Sequence, residues 1–487
     1  MNVDGLVLAA EDCEETEFVR LHRFTEYEDR IINSLMAHGP VLLRGGRGSG
    51  KSALLIEAAR RARSTLPTVL PVYLSLRHLP LLQSSGTDYQ QFFTRLLVEA
   101  VNEALIKAGS GERLISGIGP EEIRPALVGL SSRINKRLVL MFDDAAHIGR
   151  ETDLGDFFGL FRTLSGNGVS CKAAIYPGVT KFGTRFDVYN DATVIDLARD
   201  ERTPAFAEFF REVVGARYAS LPSRFTKSVL VDDERIFRFL GRAVLGNARA
   251  FVFTCNMLTE HGTIGLNELT ASLLKLGTNY YWPLLEELKP KLGIYEPLLD
   301  PAQEVAMRLF KHLAEKRATS VLLHKDHVHR LAKVLEILEY VGFISRREAS
   351  RALKSGGRGG RYASNLCSLL DYVPQSRVTQ DLFFEWSASS DEPAEIYTTN
   401  DVLNVPVPEP DLSRNLAVLA LDIEVLGNRD VYPYGLTVQK IETLRGAGII
   451  TIADLAQVPD DSLRSLPGIG TKFFDRIKNT VAQAIWM

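Results

Sequence analysis

Over the first two hundred positions, apolar residues fall into two alternating patterns. Short, nearly unbroken apolar runs occur at 40–44, 69–76, 138–142, 172–176 and 192–197. Between them lie longer stretches with apolar residues three and four apart, notably 53–63 and 88–108. Short continuous runs predict strands buried on both faces, and the 3.6-residue period predicts helices. Their alternation predicts a parallel sheet covered on both sides. Phe157, Phe158 and Phe161 share one helical face and are expected in the core. From about 200 to 290 the pattern becomes purely helical. Residues 301–317 and 325–341 predict two more helices, followed by a β-like arm rich in Arg and Gly. Residues 387–414 are acidic, with four prolines, and read as linker. The last fifty or so residues predict short helices separated by Gly-containing turns. The expected units are therefore 1–198, 199–292, 293–386, a linker over 387–430, and 431–487.

Composition narrows the class without changing this picture. Among 487 residues, 45% are hydrophobic and 24% charged. Both values are ordinary for a folded chain with several cores and exclude a disordered or collagen-like protein. The net charge of −3 means that any nucleic-acid contact must come from local patches. Cys13, Cys171, Cys255 and Cys367 lie far apart with no CxxC pair, which argues against a disulfide framework or a zinc knuckle. No apolar run reaches 18 residues, and the N-terminus lacks a basic start. A cytoplasmic, non-membrane location is expected, nucleoid-associated if bacterial.

The first local chemistry is Gly45-Gly46-Arg47-Gly48-Ser49-Gly50-Lys51-Ser52. It stands between a predicted strand and a predicted helix and fits the P-loop pattern in full. Glycines let successive main-chain N–H groups converge on phosphate oxygens. Lys51 is positioned to neutralise the β- and γ-phosphates of ATP, and the Ser52 hydroxyl to hold Mg²⁺. Asp143 ends a predicted strand, where a parallel sheet places ligand groups, and is expected to join the Mg²⁺ shell. Asp144 follows it and is expected to orient the attacking water. An Asp there is one methylene shorter than a Glu, so slow turnover is expected.

With these motifs, the span from about 20 to 290 resembles the AAA+ superfamily, especially its origin-recognition/initiator (ORC/CDC6-like) branch, and also the neighbouring STAND ATPases. The resemblance implies an α/β P-loop core, a helical lid over 199–292, a winged helix over 293–386 and a small all-α C-terminal domain. The stretch Leu245-Gly246-Asn247-Ala248-Arg249 is similar to the one carrying the sensor 2 arginine, so Arg249 is expected to contact the γ-phosphate from the lid. Arg185 stands where an arginine finger acting in trans is expected. Sensor 1 is expected after the strand ending at Tyr176, with Thr180 the nearest candidate. Adenine contacts are expected around Arg23–Tyr27. The Asp143-Asp144 pair is closer to the STAND pattern.

Two segments carry nucleic-acid chemistry. Between 345 and 361 stand six basic residues, Arg346, Arg347, Arg351, Lys354, Arg358 and Arg361, against Glu348. They resemble a winged-helix wing, in which Gly-borne guanidinium forks follow a phosphate ribbon. The turn Leu466-Pro467-Gly468-Ile469-Gly470-Thr471-Lys472 resembles the hairpin of helix-hairpin-helix domains, so Gly468, Gly470 and Lys472 are expected at a DNA phosphate. Six basic and five acidic residues in that module leave protein docking as its alternative. His324, His327 and His329 lack i, i+4 spacing or a second ligand set and read as a solvated helix start. The reading is an ATPase switch that binds duplex DNA, with little sequence preference, and loads or recruits a protein partner, in initiation, transposition or antiviral defence, as an oligomer. Its alternative is a STAND-like sensor that holds its nucleotide and recruits an effector when triggered.

Overall fold

The computed structural model describes residues 9–76, 86–146, 154–179, 182–183, 185–354, 356–388, 392–409, 417–428, 432 and 435–486. The first unit runs α1 (Glu15–Leu21), α2 (Glu26–Met36), β1 (Val41–Arg44), α3 (Lys51–Thr65), β2 (Val69–Ser75), α4 (Gly86–Lys107), α5 (Ile123–Ile134), β3 (Arg137–Ala146), α6 (Leu154–Leu164), β4 (Val169–Ile175), α7 (Val188–Asp191) and β5 (Thr193–Asp196).

The five strands form one parallel sheet in the order β2-β3-β4-β1-β5. Alternation along each strand feeds two cores. Leu138, Leu140 and Phe142 of β3 join Phe93, Phe157, Phe158 and Phe161 on one face. Val139 and Met141 join Ile32, Leu55 and Ala58 on the other. This is the α/β core that the sequence predicts, a parallel sheet with helices on both faces. Because β1 lies between β4 and β5, the loop after β1 and the ends of β3 and β4 share one carboxyl edge, where open α/β sheets bind ligands.

The second unit is helical: α8 (Pro204–Arg217), α9 (Lys227–Leu230), α10 (Asp233–Ala243), α11 (Ala248–Leu258), α12 (Leu266–Leu276) and α13 (Trp282–Glu286). The third runs α14 (Leu299–Lys316), β6 (Ser320–His324), α15 (Lys325–Arg330), α16 (Ala332–Val341), β7 (Ile344–Ala352), β8 (Arg358–Ser364), α17 (Leu366–Leu369), α18 (Gln380–Ser387) and β9 (Ala394–Ile396). Its sheet has the order β7-β8-β6-β9, with β7–β8 an antiparallel hairpin and β6–β9 parallel. One apolar cluster runs from Phe206 of α8 to Val405, so the second and third units share a core. His324 caps α15, its Nδ1 accepting from the Asp326 N–H at 3.3 Å, and His327 is buried against the Tyr397 carbonyl at 2.8 Å.

The stretch read as linker is largely structured. Residues 394–396 add β9 to the third sheet, and Leu403 and Val405 are buried in the shared core. Val418, Ile423 and Leu426 instead join the C-terminal core of α19 (Val438–Gly446), α20 (Ile452–Gln457), α21 (Asp460–Arg464) and α22 (Thr471–Trp486). Pro393, Pro406 and Pro408 there lie outside helices and strands, among buried apolar anchors rather than on a free tether. Among the described residues, no helix is long and apolar enough to cross a membrane.

Candidate nucleotide-binding site

Residues 45–52 leave β1 and enter α3, with Gly48 at φ 79° and Gly50 at φ 103°, conformations that glycine adopts without strain. The loop is held from two sides. From the helical unit, Asn247 Nδ2 donates to the Arg47 carbonyl at 2.6 Å and the Arg249 N–H to the Gly48 carbonyl at 3.2 Å. A Cβ on Gly48 would lie 2.6 Å from Asn247 Oδ1 and 2.8 Å from Arg249 Cβ, so only glycine admits this approach. From the third unit, the Tyr340 carbonyl near the end of α16 accepts from the Arg47 N–H at 3.3 Å. Arg199, just beyond β5, completes the clasp. Its Nη1 donates at 3.0 Å to the carbonyls of both Ser49 and Gly246, and its Nε to Glu28 at 2.7 Å.

Lys51 is buried. Its ammonium donates to the Gly45 carbonyl at 2.8 Å and lies 3.6 Å from the centre of the Tyr176 ring. Burial pulls its pKa down to about 8, opposed by Asp144 and Asp143 and assisted by the Arg249 charge. Asp143 is buried, and burial with the neighbouring Asp144 and Glu11 pushes its pKa up to about 7; hydrogen bonds from Tyr73 and Ser52 act the other way. The Tyr73 hydroxyl donates to Asp143 at 2.7 Å and the Tyr176 hydroxyl to Asp144 at 3.2 Å. Asp144 itself sits at φ 51°, within the irregularity of β3 where its register with β4 shifts between Phe142 and Ala146. Two crowded carboxylates beside a hydroxyl form a hard oxygen set suited to Mg²⁺. A divalent cation held there would favour the ionised form of Asp143.

Lys51, Ser52 and Tyr176 border a cleft whose empty space, open solvent included, is about 930 Å³, while Asp143 and Asp144 lie behind its lining. Its phosphate end is Gly48, Gly50, Lys51 and Ser52; its other walls include Leu21, His22, Arg23, Phe24, Phe209, Val213 and Val252. Arg249 lines it, and Arg249 Nε and Ser49 Oγ are buried without hydrogen-bond partners among the described residues. Buried donors without partners are costly unless a ligand supplies the acceptor.

The structure thus brings Gly45–Ser52, Asp143, Asp144 and Arg249 together, and of the expected adenine segment it places Arg23 and Phe24 in the cleft. Tyr27 instead anchors β5, accepting from the Ala198 N–H at 3.1 Å. Arg185 stands apart, exposed, with only its carbonyl engaged by Arg162. Thr180 lies outside the described residues. Tyr176 supplies the polar group at the end of β4. Its ring and hydroxyl touch Lys51 and Asp144, and its ring lies with its centroid 5.1 Å from that of Tyr340, the planes tilted by 41°. The residues that sequence reasoning missed are Arg199, Glu28, Tyr73 and Asn247, all of which act by contacts distant in sequence.

The basic arm divides in two. Arg347 and Arg361 turn inward. Arg347 Nε lies 2.7 Å from Glu201, and Arg361 Nη2 3.5 Å from the same carboxylate, with Arg361 fully buried. They do not face solvent as phosphate ligands must, because a buried acid from the segment between β5 and α8 neutralises them. Arg346 and Arg358 are exposed, Arg351 is partly exposed beside Glu348, and Lys354 pairs at the surface with Glu392. In the C-terminal module Gly468 adopts φ 73°, its carbonyl accepts from Lys440 at 2.5 Å, and Lys472 is exposed.

No family model matches the chain, and no curated protein matches it. Solved structures do. A Walker-type ATPase of Pyrococcus abyssi aligns at 15% identity and TM-score 0.44, over 72% of this chain and 96% of that one. The ORC2 protein of Aeropyrum pernix, in ADPNP–ADP complexes, aligns at 12% and 0.40, over 75% and 94%. The ORC1 protein of the same organism, in complex with DNA, aligns at 15% and 0.31, over 76% and 94%.

Proposed function

We propose that this chain is an ATP-dependent switch. It binds ATP with Mg²⁺, hydrolyses it slowly, and uses the nucleotide state to set how its third unit and C-terminal module present themselves to duplex DNA and to a protein partner. The observation that carries this reading is convergence on the loop 45–52. Arg249 and Asn247 of the helical unit and Tyr340 of the third unit bond to main-chain groups of Arg47 and Gly48, inside the phosphate cradle. A triphosphate that reshapes the cradle therefore acts on both units at once, and only its difference in affinity between arrangements does work.

In this reading Lys51 leaves the Gly45 carbonyl and the Tyr176 ring for the phosphates, Ser52 and Asp143 hold Mg²⁺, and Arg249 meets the γ-phosphate. Asp144, held by the Tyr176 hydroxyl, orients water. Arg185, exposed, is the residue a neighbouring copy could receive as a finger in an oligomer. DNA would contact Arg346, Arg351, Lys354 and Arg358, and the hairpin at Gly468, Gly470 and Lys472. Burial of Arg347 and Arg361 makes the present arrangement a docked one, with part of the basic arm withheld.

That burial also favours the second reading, a STAND-like sensor that holds nucleotide and recruits an effector after undocking, as does the shorter Asp144. ATP turnover with and without duplex DNA separates the two. Stimulation by DNA supports the first; retained nucleotide with negligible turnover supports the second. A salt titration of DNA affinity under ATP, ADP and no nucleotide tests the coupling, and identical curves in all three would refute the switch.

A further inference from the structure

The base end of the cleft carries a group with a defined hydrogen-bonding polarity. His22 joins α1 to α2 and lines the cleft beside Phe24, Phe209 and Val252. Its ring stacks on Phe18 with centroids 4.3 Å apart and planes 20° from parallel. Its Nδ1 lies 3.1 Å from the Phe18 carbonyl, which only accepts, so Nδ1 carries the proton of a neutral ring. Nε2 is then the lone-pair nitrogen. The neutral form is the one present at neutral pH, because burial, with Arg217 and more weakly Arg23, pulls the pKa of His22 down to about 4; the Phe18 carbonyl and Glu57 act the other way. Stack and hydrogen bond together fix the ring, so this acceptor is preorganised rather than free to turn.

We propose that His22 is the base-reading residue of the cleft: its Nε2 accepts a hydrogen bond from the exocyclic amine of adenine and disfavours 6-oxopurines. This rests on the nucleotide reading of the cleft. Adenine places an N–H donor at C6, whereas hypoxanthine and guanine place a carbonyl oxygen there. A carbonyl facing a fixed lone pair forfeits the bond and leaves two acceptors opposed in a desolvated site. The apolar walls grip any flat ring, so they supply affinity but little choice between purines.

The test uses the full-length protein with Mg²⁺ and calorimetric titration of ATP and of ITP, which differs from ATP in the C6 substituent and the proton at N1. The wild type should prefer ATP by about a hundredfold, the upper end of what leaving a buried acceptor unsatisfied costs. His22→Phe keeps a ring on Phe18 but removes the acceptor, and should bring the preference down to about threefold or less. His22→Gln offers an amide oxygen and should restore part of it. Equal affinity of the wild type for ATP and ITP, or an undiminished preference in a folded His22→Phe protein, would overturn the assignment. Wild-type protein that binds neither nucleotide would instead bring down the cleft reading itself, so the two failures are distinguishable.

Discussion

Alongside the Arg202–Glu348 ion pair at 2.8 Å, the β7–β8 hairpin is held to the segment before α8 by the buried carboxylate of Glu201. Its side chain is 5% exposed, facing Arg347 at 2% and Arg361 at 0%. Burial acts to raise the carboxyl's pKa, but Arg347, a main-chain hydrogen bond, Arg242 and Arg361 together hold it below the usual carboxylate range. Glu201→Gln keeps the shape and deletes the charge, leaving two buried cations with Glu348, 4.0 Å from Arg361, as a remaining acid. Removing one partner of a buried pair costs about 3–5 kcal/mol. That is on the order of a two-hundredfold or greater shift in a local opening equilibrium, since each 1.4 kcal/mol is a factor of ten. The hairpin should therefore open, and with it the β8–β6 pairing and the part of the shared core that holds Ile344 and Tyr362. Hydrogen exchange of amides in 344–352 and 358–364 should accelerate by that factor, with the β1–β5 sheet unchanged. Opening also frees Arg347 and Arg361, so DNA affinity should rise. Two added phosphate contacts steepen the salt dependence by up to about 1.8 in log–log slope. Unchanged exchange and an unchanged slope in the variant would refute the claim that this carboxylate holds the hairpin down.

Two further outcomes follow from the same geometry. Gly48→Ala places a Cβ 2.6 Å from Asn247 Oδ1 at a φ of 79°, so it should push the helical unit off the loop. ATP affinity should fall at least tenfold and Arg249→Ala should then add little further loss, as measured by a double-mutant cycle in calorimetry. His22 is held neutral to about pH 4, whereas in the unfolded chain it titrates near its ordinary value of 6.5. Its folded-state pKa is depressed, so the unfolded state takes up the proton first. Its contribution to stability is thus present above 6.5 and is lost as pH falls from 6.5 towards 4. The melting temperature of the wild type should fall more steeply over that window than that of His22→Phe.

The core was legible because its signals are local. Two-residue alternation along Leu138–Phe142 sends side chains to two separate cores, and the loop 45–52 writes its phosphate chemistry in eight consecutive residues. The basic arm was not legible. Counting charge between 345 and 361 treats six cations alike, yet the hairpin register slips between Arg346 and Glu348 and again between Glu348 and Arg351. Those bulges break the simple alternation that tells inward from outward. The acid that receives Arg347 lies 146 residues earlier. The stretch around 394–405 misled for a related reason: its prolines and acids mimic a linker, while a three-residue strand and two apolar anchors fasten it to a core assembled from distant sequence. Arg199 and Glu28 form their buried pair across 171 positions and left no pattern to find.

The central claim is that a nucleotide occupies the cleft lined by Gly48, Lys51, Ser52 and Arg249. Calorimetric titration of ATP with Mg²⁺ into the wild type and Lys51→Ala, each first shown to be folded by thermal melting, tests it most directly. The account predicts saturable one-to-one binding by the wild type and loss of that binding in Lys51→Ala. A folded wild type with no binding at millimolar ATP, or a Lys51→Ala protein that binds ATP as tightly as the wild type, would contradict it.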